Sequence, residues 1–229
     1  MQPDYQSVNP ANVDVSIQNR VLRNTYMLLG ITMIPTILGA LIGTHMDFTW
    51  AMGSRWLFPL VFLGGAWGLM FAIQATRNSS MSVVLLLALT GFMGWALGPI
   101  LQYALHLSNG IEIITLAAGG TSIIFLSLAT IASTTKRDFS FMGKFLFVGL
   151  ILVFVAMLAN IFFQIPAFSL AISGVAVLLF SGYILYDVSR IVHGGETNYV
   201  MATLKLYLDI YNLFVHLLNI LMAVLGNRR

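Results

Sequence analysis

A chain of 229 residues that is 59% hydrophobic and only 8% charged is not a soluble domain, in which about a quarter of the residues carry charge. The formal net charge of +3 comes from basic residues scattered at the ends of apolar runs, where membrane topology accounts for them, and this excludes a nucleic-acid-binding role. The absence of cysteine excludes disulfides, thiolate metal sites and a cysteine nucleophile.

Apolar runs recur along nearly the whole chain, parted by short polar breaks. The fold class is all-α: a polytopic membrane protein, seven transmembrane helices in one bundle, with the lipid bilayer as its first partner. Residues 1–24 are polar, with Asp4, Asp14, Arg20 and Arg23, and lack the apolar core of a cleavable signal peptide. They read as a flexible cytoplasmic tail, leaving residues 25–229 as the transmembrane domain. The first span covers residues 25–44 and contains Pro35, a kink position tolerated in membrane helices. The second covers 56–76 and holds G-G-A-W-G at 64–68. The third covers 82–105, with Gly94 and Gly98 four apart and then Pro99. Such glycines are read as packing residues that let backbones approach. The fourth, fifth and sixth spans cover 111–133, 141–163 and 167–192. The seventh covers 201–225. No internal repeat of the inverted transporter kind is visible.

With the N-terminus cytoplasmic, the inner segments hold Arg20, Arg23, Arg77, Lys136, Arg137, Lys144, Arg190 and Lys205, against Arg55, Arg228 and Arg229 outside. Eight against three, together the chain's 11 basic residues, fixes the expected orientation: N-terminus in, C-terminus out. The Arg228–Arg229 pair pulls the other way, so a six-span arrangement with a re-entrant last segment is the alternative.

The seventh span carries Lys205, Asp209, Asn212, His216 and Asn219 at steps of four, three, four and three, the spacing of one helix face. A polar stripe of this kind faces protein or water, not lipid. Asp187 and Asp209 are the only acidic residues inside spans, with Glu112, at the outer start of the fourth, counted among the outer-loop residues. Both lie near the inner ends of neighbouring antiparallel helices. At ~1.5 Å of rise per residue their carboxyls fall within about one turn in depth. Two carboxylates that close in a low-dielectric bundle do not both ionise easily, and they titrate as a unit. Such a pair can serve as a proton-sensing latch, a cation site or an acid–base dyad. Two plainer readings stand beside it: an interfacial ion pair of Asp187 with Arg190, and a pair of Asp209 with Lys205 on its own stripe. His216 reads as a hydrogen-bonded packing residue, there being no second ligand at metal spacing. His193 and Glu196 in H-G-G-E read as part of a turn.

Several stretches resemble the Bax inhibitor-1 (TMBIM) family in its bacterial YccA-type branch. They are G-P-I at 98–100, D-F-S-F-M-G-K-F-L at 138–146, S-G-Y-I-L-Y-D at 181–187, H-G-G-E-T-N-Y at 193–199 and L-Y-L-D-I-Y-N-L-F at 206–214. The resemblance implies a seven-helix bundle with the C-terminal helix near its centre and a pH-sensitive calcium leak across the membrane. It implies that Asp187 and Asp209 form a hydrogen-bonded pH sensor, with Arg77 as the nearest match to an arginine that partners the pair in some members. Beside what the resemblance implies, Arg190, Lys205 and Asn212 are candidate gate partners from their places near the pair, and His216 and Asn219, which the family motif does not require, are candidates to line the way. Calcium would be a permeant ion held weakly by Asp187 and Asp209, with no resident cofactor. The branch is also associated with the membrane-anchored protease FtsH, as a modulator. The implied location is the bacterial inner membrane, and the implied protein is not an enzyme.

An intramembrane aspartyl protease is the enzymatic rival. Tyr186–Asp187 fits its first motif, but Leu206, Tyr207 and Leu208 stand where its G-x-G should precede the second aspartate, and no P-A-L follows. No serine motif with a paired histidine lies on a span.

Overall fold

Helices in hydrocarbon gain little from burying apolar faces against each other, so close backbone approach and polar joints must hold them. The structure, a computed structural model, describes residues 10–48, 56–135 and 137–226. It contains α1 (Pro10–His45), α2 (Leu57–Ala75), α3 (Met81–Ala96), α4 (Gly98–Leu105), α5 (Gly110–Thr134), α6 (Gly143–Phe163), α7 (Pro166–Val192) and α8 (Tyr199–Leu225). A single 3₁₀ turn, Ser140–Met142, leads into α6. No strand occurs among the described residues. Seven segments are long and apolar enough to cross a membrane, the third being α3 and α4 together. The protein is therefore an all-α, seven-span membrane protein. Six of the seven spans match the sequence boundaries within one or two residues. Arg55, Lys136, Arg228 and Arg229, used in the charge count, lie outside the described residues.

The first span is the exception. Its helix begins at Pro10, so the described residues before the expected start of the span are helical. Val21 is in the core, Thr25 is fully buried, and the Gln18 side chain lies against Gly194 in the turn after α7. The segment is amphipathic: its buried residues sit on one face and Arg20 and Arg23 are exposed on another. An average over the whole window is therefore polar although one side is packed. The helix continues through Pro35.

Glycines set the distance between α1 and the third span. A Cβ on Gly39 would lie 2.1 Å from the carbonyl oxygen of Gly91, and one on Gly94 would lie 2.1 Å from that of Thr36. Gly43 and Gly98 approach each other in the same way. The third span breaks at Leu97. Pro99 has no N–H to continue the helix, and the Leu97 N–H turns to the Gly94 carbonyl at 3.0 Å.

At this crossing a hydroxyl joint ties three helices. The Thr36 and Tyr207 hydroxyls are 2.9 Å apart, and both bond the Thr90 carbonyl, at 3.3 and 3.2 Å. Farther along α8, the Tyr211 hydroxyl donates to the Met93 carbonyl at 3.2 Å. The last helix packs against α1, α3, α5 and α7. It is continuous over 27 residues, about 40 Å at its ordinary rise, so a full span replaces the re-entrant alternative.

Candidate functional site: a buried carboxyl pair

None of Lys205, Asp209, Asn212, His216 and Asn219 is exposed, so the stripe on α8 faces protein. It meets α7 across a tight turn. Gly194 adopts φ 76°, the left-handed conformation that glycine allows cheaply, and the Gly195 N–H bonds back to the Arg190 carbonyl at 2.7 Å. The Asn198 side chain then caps α8, accepting from the N–H groups of Val200 and Met201 at 3.0 and 3.1 Å. These two devices set α7 and α8 side by side with their carboxyls at one depth.

Asp187 and Asp209 are 7% and 6% exposed, and their carboxyls are within hydrogen-bonding reach of each other. Oδ2 of Asp209 is buried with no hydrogen-bond partner in the protein. A direct hydrogen bond between two carboxyls requires a proton on one of them, so a direct bond here would need a proton held by the pair. Loss of that proton leaves two like charges at contact in a water-poor site. Tyr183 and Lys205 lie within electrostatic reach of both carboxyls, and Arg190 within reach of Asp187.

The basic residues named from the sequence are arranged differently from the two plainer readings. Lys205 forms an ion pair with Glu196, not with Asp209. Arg190 donates to the Gly195 carbonyl and lies over the Tyr186 ring, 5.8 Å from its centroid, rather than pairing directly with Asp187. The Arg77 carbonyl accepts from the Asn198 side chain at 2.7 Å. Arg77, Glu196 and Lys205 together line a polar cavity of about 540 Å³ at the basic end of the bundle. Farther along the stripe, Asn212 donates to the Leu208 carbonyl at 2.8 Å, and His216 meets the Ser173 hydroxyl at 3.2 Å while stacking on Phe180. Among the described residues no group of three or more histidine, aspartate or glutamate side chains could hold a metal ion.

Glu196 is the residue that sequence reasoning missed. It belongs to the turn, as expected, but its carboxylate reaches back to Lys205, nine positions on. Burial pushes the Glu196 carboxyl up. The Lys205 hydrogen bond and charge, the Asn198 N–H and the Arg190 charge outweigh burial and hold it below the usual carboxylate range. A carboxyl lowered on folding contributes stability above its unfolded value, which is lost as pH falls through the folded value. Glu196→Gln should therefore lower thermal stability at neutral pH by about 1 kcal/mol or less, since the pair is partly open to solvent. The gap to the unsubstituted protein should close at acid pH. A gap that stays constant with pH would mean that the ion pair is not its source.

The loop before α6 is tied to the same end of α7. Asp138 accepts from the Ser140 N–H at 2.8 Å and from the Ser189 hydroxyl at 3.4 Å. The Ser140 bonds hold the Asp138 carboxyl below its ordinary range. The D-F-S and Y-D stretches thus meet in space, although they lie far apart in the chain.

Comparison with known proteins agrees with this architecture. The model of the family described as "Inhibitor of apoptosis-promoting Bax1" matches residues 18–226. The chain is 43% identical over 203 residues to "Modulator of FtsH protease YccA" of Escherichia coli strain K12, covering 89% of this chain and 90% of that one. It is equally similar to "Inner membrane protein YccA" of E. coli O6:H1. It is 46% identical over 204 residues to an uncharacterized membrane protein of Vibrio cholerae, covering 89% of each.

Proposed function

The chain belongs to the family of inhibitors of apoptosis-promoting Bax1, and from that premise we propose that it is a pH-sensitive calcium leak of the bacterial inner membrane, gated by Asp187 and Asp209. The observation that carries this reading is the buried contact of two carboxyls with one oxygen left unpartnered. Protonated, the pair is a latch between α7 and α8. Deprotonated, it is a repelling pair of charges and an oxygen site for a hard cation. Lys205 and the cavity it shares with Arg77 and Glu196 form the inner approach, with the basic end facing the cytoplasm. Asn212, His216 and Asn219 continue the polar path along α8. The central position of α8 in the bundle belongs to the same reading. The protein acts by conformation and conduction, not by catalysis. Calcium efflux from liposomes holding the purified protein should change with pH and exceed that from empty liposomes. Equality with empty liposomes at every pH would overturn the reading.

A second reading has its own support in the relative named a modulator of FtsH protease. In it the chain engages that membrane-anchored protease, and its N-terminal residues are the segment gripped. Deleting residues 2–9 keeps α1 from Pro10 onward. In cells containing FtsH the deletion should lengthen the protein's half-life severalfold and change the turnover of other membrane substrates. An unchanged half-life would count against this role.

A further inference from the structure

A second cavity, of about 660 Å³, lies between α1 and α5. Both helices pack against α8, whose Ile210 lies at the cavity floor. They approach each other at few points, one being the edge-to-face contact of Tyr26 with Phe125. One wall is the α1 face of Tyr26, Gly30 and Met33. The other is a single face of α5 running from Thr121 to Thr134.

The α5 wall is less polar toward the cavity than its sequence suggests, although the Ser133 hydroxyl bonds across the groove to Tyr26. Thr121, Ser122, Thr130 and Thr134 each donate to the carbonyl four residues earlier, at 2.7, 2.9, 2.7 and 2.8 Å. Their donors are occupied within the helix, leaving mainly carbon for an occupant to touch. A path for water or ions would need free polar groups. The cavity lies at the depth of two spans, so the medium around it is hydrocarbon. A Cβ on Gly30 would meet nothing within 4 Å. At the basic end, Arg23 precedes Tyr26 by one turn, and positions 23, 26, 30 and 33 share one helix face. Arg137 follows α5 by three residues at the same end. Both arginines are exposed, and neither forms a salt bridge among the described residues. Two arginines that follow the ends of the walls of an apolar slot between spanning helices suit a phosphate with a hydrocarbon tail.

We propose that the groove between α1 and α5 is a phospholipid site, taking an acyl chain of an anionic phospholipid and holding its phosphate at Arg23 and Arg137. The test uses the delipidated full chain in detergent, with native mass spectrometry and thermal unfolding. The probes are dioleoylphosphatidylglycerol, dioleoylphosphatidylcholine and glycerol 3-phosphate. Phosphatidylglycerol should remain bound and raise the Tm; glycerol 3-phosphate should do neither. Phosphatidylcholine carries the same phosphate but offsets it with a choline cation, and should bind about fivefold more weakly. Gly30→Leu fills the groove from one wall and Ser122→Leu from the other. Each should reduce lipid retention severalfold while leaving the lipid-free Tm near that of the unsubstituted protein. Arg23→Gln should erase most of the preference for the anionic lipid and leave chain binding in place. Unchanged retention in whichever filling variant folds would overturn the proposal. So would equal binding of the two phospholipids, or a Tm rise with glycerol 3-phosphate alone.

Discussion

Asp209→Asn should abolish the pH response of calcium flux while the bundle stays folded. Asparagine has nearly the shape of the aspartate, and its amide N–H can donate to Asp187 without a shared proton. The contact between α7 and α8 then persists at every pH. The expected size follows from linkage. Each pH unit is worth about 1.4 kcal/mol per proton, so a gate coupled to one shared proton changes its open population by at most about tenfold per unit. The unsubstituted protein should approach that slope near its midpoint, and Asp209→Asn should be flat. Asp187→Asn should do the same, because the proton belongs to the pair. The two effects should not add, which sets the pair apart from two independent carboxyls. A variant that keeps the full slope would place the sensor elsewhere.

Gly94→Ala should cause one of the largest losses of stability among single-methyl additions, about 3 kcal/mol or more. The new Cβ would lie 2.1 Å from the Thr36 carbonyl oxygen and 2.8 Å from its carbon, both main-chain atoms with no rotamer to retreat into. Relief requires α1 to move away from α3. That movement opens the joint of Thr36, Thr90 and Tyr207 and strands a fully buried tyrosine hydroxyl. Gly64→Ala and Gly68→Ala are the controls, because a Cβ at either position meets nothing within 4 Å. They should be neutral or slightly stabilising through helix propensity. Thermal unfolding in detergent, read beside the yield of monodisperse protein, separates the cases. A Gly94→Ala protein as stable as the Gly64→Ala protein would show that the crossing is loose.

Hydropathy located the spans because hydrocarbon imposes one length and one composition on every crossing helix. The stripe on α8 was equally plain, since charged and amide groups at helical spacing cannot face lipid. The depth match of Asp187 and Asp209 needed only the rise per residue and the connectivity of neighbouring helices. Other features depend on directions that spacing does not carry. Glu196 reaches Lys205 because Gly194 reverses the chain and Asn198 starts the next helix at once, and the sequence showed the turn but not its aim. The joint of Thr36, Thr90 and Tyr207 joins residues with no common pattern. Gly39 and Gly43 did have a readable signal, two small residues four apart in the first span. The packed start of α1 was hidden because its polar face dominates any average of hydropathy.

The carboxyl pair can be observed without reference to conduction. Infrared difference spectra of the reconstituted protein across a pH titration report the stretch of a protonated carboxyl directly. Such a band should appear in the unsubstituted protein, titrating over the same pH range as calcium flux, and be absent when Asp187 and Asp209 are both asparagine. A band that survives the double substitution, or one that titrates in a range where flux does not change, would contradict gating by the pair.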